Sequence, residues 1–399
     1  MQKVFVAADN IVSPLGSTTL QNFEQVLQGN SGIRLHDNAA YAAAPFYAAM
    51  LAPGQLESYA GQYNANEYTK FERLLLVSIA DALQQTRINP RNARTGLIVS
   101  TTKGNIELLE QSVEKAQAVA ACGDTHELPE MPAEIPVQQM QLGATARKIA
   151  DHFGIVNEPV VVSSACISGL LAILTGKRLI QAGIYDHVIV TGADVLTRFV
   201  LSGFQSFQAV SAGPCKPFDA HRSGVSLGEG AATVILTIDP AQAGAFVLGN
   251  GAVSNDANHI SGPSRTGEEL AAAMKLAMSG TGLQPEDIGF VSAHGTATLY
   301  NDEMEAKALH HAGLADKPVN SLKGYYGHTL GAAGLIEAII SMQALKNGVV
   351  LPTKNFETPG VTMPVNISNA ITHTQATHLL KTVSGFGGCN AAMVFSLIS

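Results

Sequence analysis

Val162-Ser163-Ser164-Ala165-Cys166-Ile167-Ser168-Gly169 is the stretch on which the reading of this chain turns. An apolar strand runs into small residues and a cysteine, and a helix follows from about Cys166 through Leu170, Ile173, Leu174 and Leu179 to a stop at Gly183. A glycine just past the last periodic residue is the usual end of a helix. The pattern has a counterpart downstream. Pro159-Val160-Val161-Val162-Ser163 is echoed by Pro318-Val319-Asn320-Ser321, and a second helix runs from about Gly331 through Leu335, Ile339 and Leu345 to Gly348.

Working outward, two further echoes appear. Phe5-Val6-Ala7-Ala8-Asp9-Asn10-Ile11-Val12-Ser13 is matched by Phe246-Val247-Leu248-Gly249-Asn250-Gly251-Ala252-Val253-Ser254, and Leu97-Ile98-Val99-Ser100 by Gly289-Phe290-Val291-Ser292. Fixed-order repetition signals duplicated architecture. Short apolar strands alternating with helices predict parallel sheets covered on both faces. The expectation is two similar α/β halves, 1–243 and 244–399. An inserted excursion near 104–140, charged and then Glu/Pro/Met-rich, belongs to the first and is suited to shaping a pocket or subunit contact.

Composition fits such a body. Of 399 residues, 46% are hydrophobic and only 14% charged, which describes a packed chain rather than a disordered one. The 38 glycines suggest close approach between layers. A net charge of −8 argues against nucleic acid as a general partner. Four cysteines (Cys122, Cys166, Cys215, Cys389) without a CxxC pair make neither a disulfide framework nor a zinc motif. The N-terminal apolar run is too short for a signal peptide, and no stretch reaches the length of a membrane span, so the expected location is cytoplasmic.

Cys166 stands at a strand-to-helix junction, where unpaired N–H groups and the positive end of the helix favour thiolate and can hold an oxyanion. Its partners come from the second half. His294 opens His294-Gly295-Thr296-Ala297-Thr298 at a strand end, and His328 lies in Gly327-His328-Thr329-Leu330-Gly331-Ala332-Ala333-Gly334 where the second helix begins. Duplication brings related strand ends to one face, where open α/β sheets bind ligands. Lys323 could pair with a carboxylate such as Glu337. Ser384-Gly385-Phe386-Gly387-Gly388-Cys389-Asn390 and Arg222-Ser223-Gly224-Val225-Ser226-Leu227-Gly228-Glu229-Gly230 read as tight turns.

Taken in order, Val12-Ser13-Pro14-Leu15-Gly16, Ser31-Gly32-Ile33, the Cys166 stretch, Lys216-Pro217-Phe218-Asp219, Gly228-Glu229-Gly230, the two histidine motifs and Gly385-Phe386-Gly387-Gly388 closely resemble the β-ketoacyl-acyl carrier protein synthases with a Cys-His-His triad. The resemblance spans nearly the whole chain. It implies a thiolase-like fold: two βαβαβαββ halves in five layers, α/β/α/β/α, usually dimeric. It implies that Cys166 takes an acyl group from a carrier protein and that malonyl-carrier protein is then decarboxylated and condensed with it. The oxyanion hole falls to the N–H groups of Cys166 and Phe386, and His294 and His328 stabilise the enolate. Lys323, with Glu337, organises them, while Phe386 gates the thiol. Thr296, Thr298 and Gly387 contact the substrate arm, and Lys70 and Arg73 match a docking helix for the acidic carrier. The phosphopantetheine arm arrives with the carrier, so no cofactor or metal of the chain's own is expected. The partner subunit is a second copy or a related ketosynthase-like chain.

Departures from the pattern concern substrate. They include Ser384 where many fatty-acid members have Phe, and Thr101-Thr102-Lys103-Gly104-Asn105-Ile106 where relatives shape the acyl pocket. Rival readings are a chain-length-factor-like subunit, which typically lacks the cysteine, and a degradative thiolase, which uses a second cysteine as base. A third is a carrier-binding scaffold, which needs neither histidine.

Overall fold

The computed structural model describes residues 2–121, 136–258 and 262–398. Ten strands form its main sheet: β1 Phe5–Val12, β2 Thr95–Ser100, β3 Val160–Val162, β4 His187–Asp194, β5 Gly230–Thr237, β6 Phe246–Asn255, β7 Phe290–Ser292, β8 Val319–Asn320, β9 His378–Gly385 and β10 Cys389–Leu397. Six principal helices accompany them: α1 Lys70–Gln84, α2 Leu142–Phe153, α3 Ser168–Gln181, α4 Glu268–Ser279, α5 Leu299–His311 and α6 Ala333–Lys346. In chain order, each half is βαβαβαββ.

The spatial order is β8-β7-β9-β10-β6-β1-β5-β4-β2-β3, so the second half repeats the first with its order reversed. In the first half β2 runs parallel to β3 and β4, and β5 is antiparallel to β4 and β1. The second half matches strand for strand. The three sequence echoes therefore fall on equivalent strands: β1/β6, β2/β7 and β3/β8. The predicted parallel sheets are mixed instead, because the last strand of each half returns antiparallel. The halves meet in the sheet only at Phe5↔Val247 and Val6↔Phe246.

Packing produces the five layers. α1 covers β1, β4 and β5, with α2 beside it, while α4 covers β6 and β10, with α5 beside it. Between the two five-stranded halves of this sheet lie α3 and α6, each touching strands of both halves and the other helix. α6 is buried on every side except at Gln343 and Lys346, as a helix enclosed by both halves must be. These central helices cross at glycines. A Cβ on Gly169 would sit 2.8 Å from Leu335 N, and one on the equivalent Gly334 would sit 2.6 Å from Leu170 N.

Both central helices start two residues later than the sequence suggests. Ala165 takes a positive φ of 44° to turn the chain ahead of α3, and a short 3-10 turn, Leu330–Ala332, precedes α6. Of the excursion at 104–140, a helix forms over Glu107–Ala121. Its Glu110 carboxylate caps the helix Arg198–Ser206 at Phe199 N (2.6 Å). The excursion's Pro/Met-rich part (122–135), with Cys122, lies outside the described residues. Among the described residues no helix is long and apolar enough to cross a membrane.

Candidate active site

The turn that carries Cys166 is held by Ser168, whose Oγ donates to Ala165 O (2.6 Å) and accepts from Ser164 N (2.8 Å). With Ala165 in the left-handed region, the chain doubles back and presents Cys166 between strand and helix, a sharp elbow of the kind used to expose nucleophiles. Gly385 makes room for it, since a Cβ there would lie 3.0 Å from Cys166 N. The Phe386 N–H lies near enough to the sulfur to favour its charged form. Burial dominates the titration and pushes the Cys166 thiol up to about 12, against the helix-end preference for thiolate. Cys166 therefore rests as a neutral thiol.

His328 and His294 come from the second half as expected. Nε2 of His328 lies 3.0 Å from Cys166 Sγ, and its Nδ1 accepts from Leu330 N–H at 3.3 Å. The two imidazoles meet edge to face with centroids 5.1 Å apart. His294 Nδ1 faces Lys323 Nζ at 3.3 Å, and the same ammonium donates to His294 O at 3.1 Å. Lys323 in turn forms an ion pair with Glu337 inside the protein. Burial first, then the Lys323 charge, holds both histidines well below 6.5, so each is neutral at physiological pH. With donors at both Nδ1 atoms, the ring protons sit on Nε2 and point toward the thiol and the space above it.

That tautomer bears on metal binding. One ligand atom each from Cys166, His294 and His328 falls within 4.8 Å of the others, a spacing that a zinc ion could span. In this tautomer each Nε2 carries its proton and serves as a hydrogen-bond donor.

Above the three residues opens a cavity of about 550 Å³ lined by Cys166, both histidines, Thr296, Thr298 and Phe386, among others. The Phe386 ring stacks on Phe204 (5.7 Å between centroids, 25° between planes) and meets Phe207 edge-on at 5.5 Å. Thr296 and Thr298 join hydroxyls at 2.8 Å. Gly387 is not part of the lining; its φ of +83° bends the β9–β10 hairpin that presents Phe386. Ser384 does face the cavity and is bonded to Asn390 at 2.7 Å.

The comparisons with known proteins agree with this geometry. The N-terminal domain model of β-ketoacyl synthases matches residues 1–240, and the C-terminal domain model matches 245–357. The chain belongs to the β-ketoacyl synthase family. It is 29% identical over 421 residues to 3-oxoacyl-[acyl-carrier-protein] synthase 2 of Vibrio cholerae, with 99% of each chain covered. It is 29% identical over 420 residues to the enzyme of that name in Staphylococcus aureus, covering 99% of this chain and 98% of the other. A chain of the ishigamide ketosynthase/chain length factor structure superposes over the full length of both with a TM-score of 0.89 at 23% identity. A chain of the complex between a ketosynthase and its chain length factor from Xenorhabdus doucetiae gives 0.83 at 25% identity, over 100% of this chain and 98% of that one.

Within this family frame, three sequence expectations change. Lys70 is no docking cation: its Nζ is paired at 2.6 Å with Glu229, whose side chain is fully buried. Arg73 is buried too, donating to Glu57 and Ala60 O at 3.3 Å. Lys70 is held by a buried carboxylate, and Arg73 by a buried carbonyl and the exposed carboxylate of Glu57. Thr101–Lys103 wrap the buried Asp194, which accepts from Thr101 Oγ1 (2.8 Å), Thr102 Oγ1 (3.0 Å) and Gly331 N (2.7 Å), and they do not line the cavity.

Two buried residues escaped the sequence reading. Glu305 accepts from the backbone N–H of His294 (2.7 Å) and Gly295 (2.6 Å) and so fixes the histidine loop. Lys381, in the apolar run of β9, lies 2.7 Å from the second oxygen of Glu337. A lone lysine inside a strand of apolar residues was the available signal. Of the remaining cysteines, Cys215 and Cys389 are free thiols, the first buried and the second half-buried.

Proposed function

We propose that this chain is a decarboxylative condensing enzyme that extends an acyl group held on Cys166 by two carbons. The observation that carries the reading is the convergence of two neutral imidazole N–H groups on a buried thiol, His328 Nε2 at 3.0 Å from Cys166 Sγ and His294 beside it. In the first half-reaction Cys166 attacks the thioester carbon of an acyl-carrier protein and the bond to the carrier sulfur breaks. The proton leaving Cys166 ends on the departing thiol, so the exchange is balanced without a permanent base. The oxyanion sits between the N–H groups of Cys166 and Phe386.

In the second half-reaction malonyl-carrier protein enters and its C–CO2 bond breaks. The electron pair passes into an enolate whose oxygen accepts from Nε2–H of His294 and His328. The nucleophilic carbon then joins the acyl carbon as the bond to Cys166 breaks, and the thiolate takes a proton from solvent. Neutral imidazoles suit this step, because it needs donors that do not give up their protons. Lys323 and Glu337 fix His294, Thr296 and Thr298 bind the pantetheine arm, and Phe386 gates the thiol.

The carrier protein, in its acyl- and malonyl-loaded forms, is the macromolecular substrate in this reading, and the site of action is the cytoplasm. The subunit partner is a second copy or a related ketosynthase-like chain, a pairing supported by the relatives solved with chain length factors. Fatty-acid, polyene and polyketide pathways all use this condensation. Cys166 with both histidines disfavours a chain-length-factor role with little condensing activity.

The test is intact-mass measurement after incubation with acyl-carrier proteins of several chain types, saturated, polyenoyl and aryl. An acyl adduct on Cys166, absent in Cys166→Ala, supports the proposal. No adduct with any acyl group, or one that survives the substitution, overturns it. Cys166→Gln should abolish elongation, and the acyl type that turns over fastest identifies the pathway class.

A further inference from the structure

Lys381 sits at the centre of β9, in His378-Leu379-Leu380-Lys381-Thr382-Val383, and is fully buried. A charge in such a strand is costly unless it is matched on the spot. Its match is specific: Nζ lies 2.7 Å from Glu337 Oε2 and donates to the carbonyls of Ser292 and Ala293, each at 3.1 Å. One carboxylate oxygen and two carbonyl oxygens around a single positive charge are the donor set of a hard cation, occupied here by a tethered ammonium.

The donors matter as much as the charge. Ser292 and Ala293 are the two residues immediately before His294. The other oxygen of Glu337 pairs with Lys323, which contacts His294 at Nδ1 and at its carbonyl. Lys381 thus reaches His294 by two routes, through the strand end that carries it and through the carboxylate that holds Lys323. Glu305, which grips the N–H groups of His294 and Gly295, completes the charges around this ammonium.

We propose that Lys381 is a positioning residue that serves as a built-in monovalent cation, fixing the end of β7 and Glu337 so that His294 keeps its Nε2–H aimed over Cys166. The cavity left by its removal would then take a free ion of the same charge, K+ or ammonium. The role in turnover rests on the condensing reading above; the ion-binding consequence does not.

The experiment uses the full chain with Lys381→Met, which removes the charge and keeps the bulk, and Lys381→Ala, which leaves room for an ion. Thermal melting and condensation are measured in KCl, in ammonium chloride and in tetramethylammonium chloride at equal ionic strength. Lys381→Met should lower kcat roughly tenfold or more in every salt, since small misplacement of a catalytic group has effects of that size. Loss of a nearby positive charge makes the histidines easier to protonate, so the acid limb of its pH profile should move up by about one unit.

Lys381→Ala should melt higher in K+ or ammonium than in tetramethylammonium and regain part of its rate there, while the unsubstituted protein is indifferent. If Lys381→Ala folds only in K+ or ammonium, the proposal also stands. Equal melting of Lys381→Ala in all three salts, or an unchanged kcat and acid limb in Lys381→Met, overturns it. If the unsubstituted protein forms no acyl adduct, the condensing reading fails alone, and the salt-dependent melting still decides the role of Lys381.

Discussion

Glu337→Gln is the sharpest perturbation that the structure offers. One carboxylate, 2% exposed, holds two lysines whose side chains are fully buried. The substitution keeps size and shape but takes from both ammonium groups the carboxylate that pairs with them. Removing one partner of a buried pair costs about 3–5 kcal/mol, and here a single change strands two charges. With an unfolding entropy of roughly 2.1 cal/mol/K per residue, the 399 residues give about 0.8 kcal/mol/K, so the melting temperature should fall by about 4–6 °C.

The loss should also depend on pH, with a definite sign. Burial already lowers the Lys381 pKa from 10.5, and without Glu337 it falls further. Between the lowered folded value and the unfolded 10.5, the folded state binds fewer protons than the unfolded chain. Stability in that window therefore rises with pH, by up to about 1.4 kcal/mol per unit for each lysine affected. The deficit of Glu337→Gln should be largest near pH 6.5 and smaller at pH 9. Adding Lys381→Met should recover part of the loss at pH 6.5, because only one ammonium is left stranded. Differential scanning calorimetry at the two pH values checks all three statements. A variant that melts within a degree of the parent at pH 6.5, or a deficit larger at pH 9, would refute the charge assignment.

Other expectations are simpler to read. Because the Cys166 thiol titrates near 12, its alkylation by iodoacetamide, followed by peptide mapping, should rise about tenfold per pH unit from 7 to 9; a plateau there would mean a resting thiolate. Neutral histidines should keep malonyl decarboxylation constant from pH 8 down to 6.5, and a rate that halves between 7.5 and 6.5 would contradict their burial. Phe204→Ala removes the ring stacked on Phe386 and should speed alkylation of Cys166 several-fold, as a freed gate would. Lys70→Met and Arg73→Gln should lower the melting temperature and leave the KM for carrier protein unchanged; a rise in KM without loss of stability would restore their docking role. Gly169→Ala should destabilise by about 1–3 kcal/mol, the scale of overpacked cores, because the central helices cannot separate without disturbing the strands on either side.

The sequence alone carried the duplication, the elbow around Cys166 and the two histidine motifs, because these depend on local chemistry: strand periodicity, glycine at turns, small residues beside a nucleophile. The strand echoes at Phe5/Phe246, Leu97/Gly289 and Pro159/Pro318 were legible for the same reason, since a strand that takes the same place in a repeated unit keeps its pattern. The return of β5 and β10 antiparallel left no comparable local mark.

Charge was decided by the tertiary structure. Lys70 looks like an exposed cation until Glu229, 159 residues away, closes on it. Lys381 looks like an anomaly in an apolar strand until Glu337 and the carbonyls before His294 surround it. Even Cys166 carried a local promise of thiolate that burial overturned. A helix start or a motif states what a residue could do, but whether it is charged depends on groups that reach it from far along the chain. The place of Cys166 at the turn in Val162–Gly169 was thus readable from sequence, and its protonation state was not.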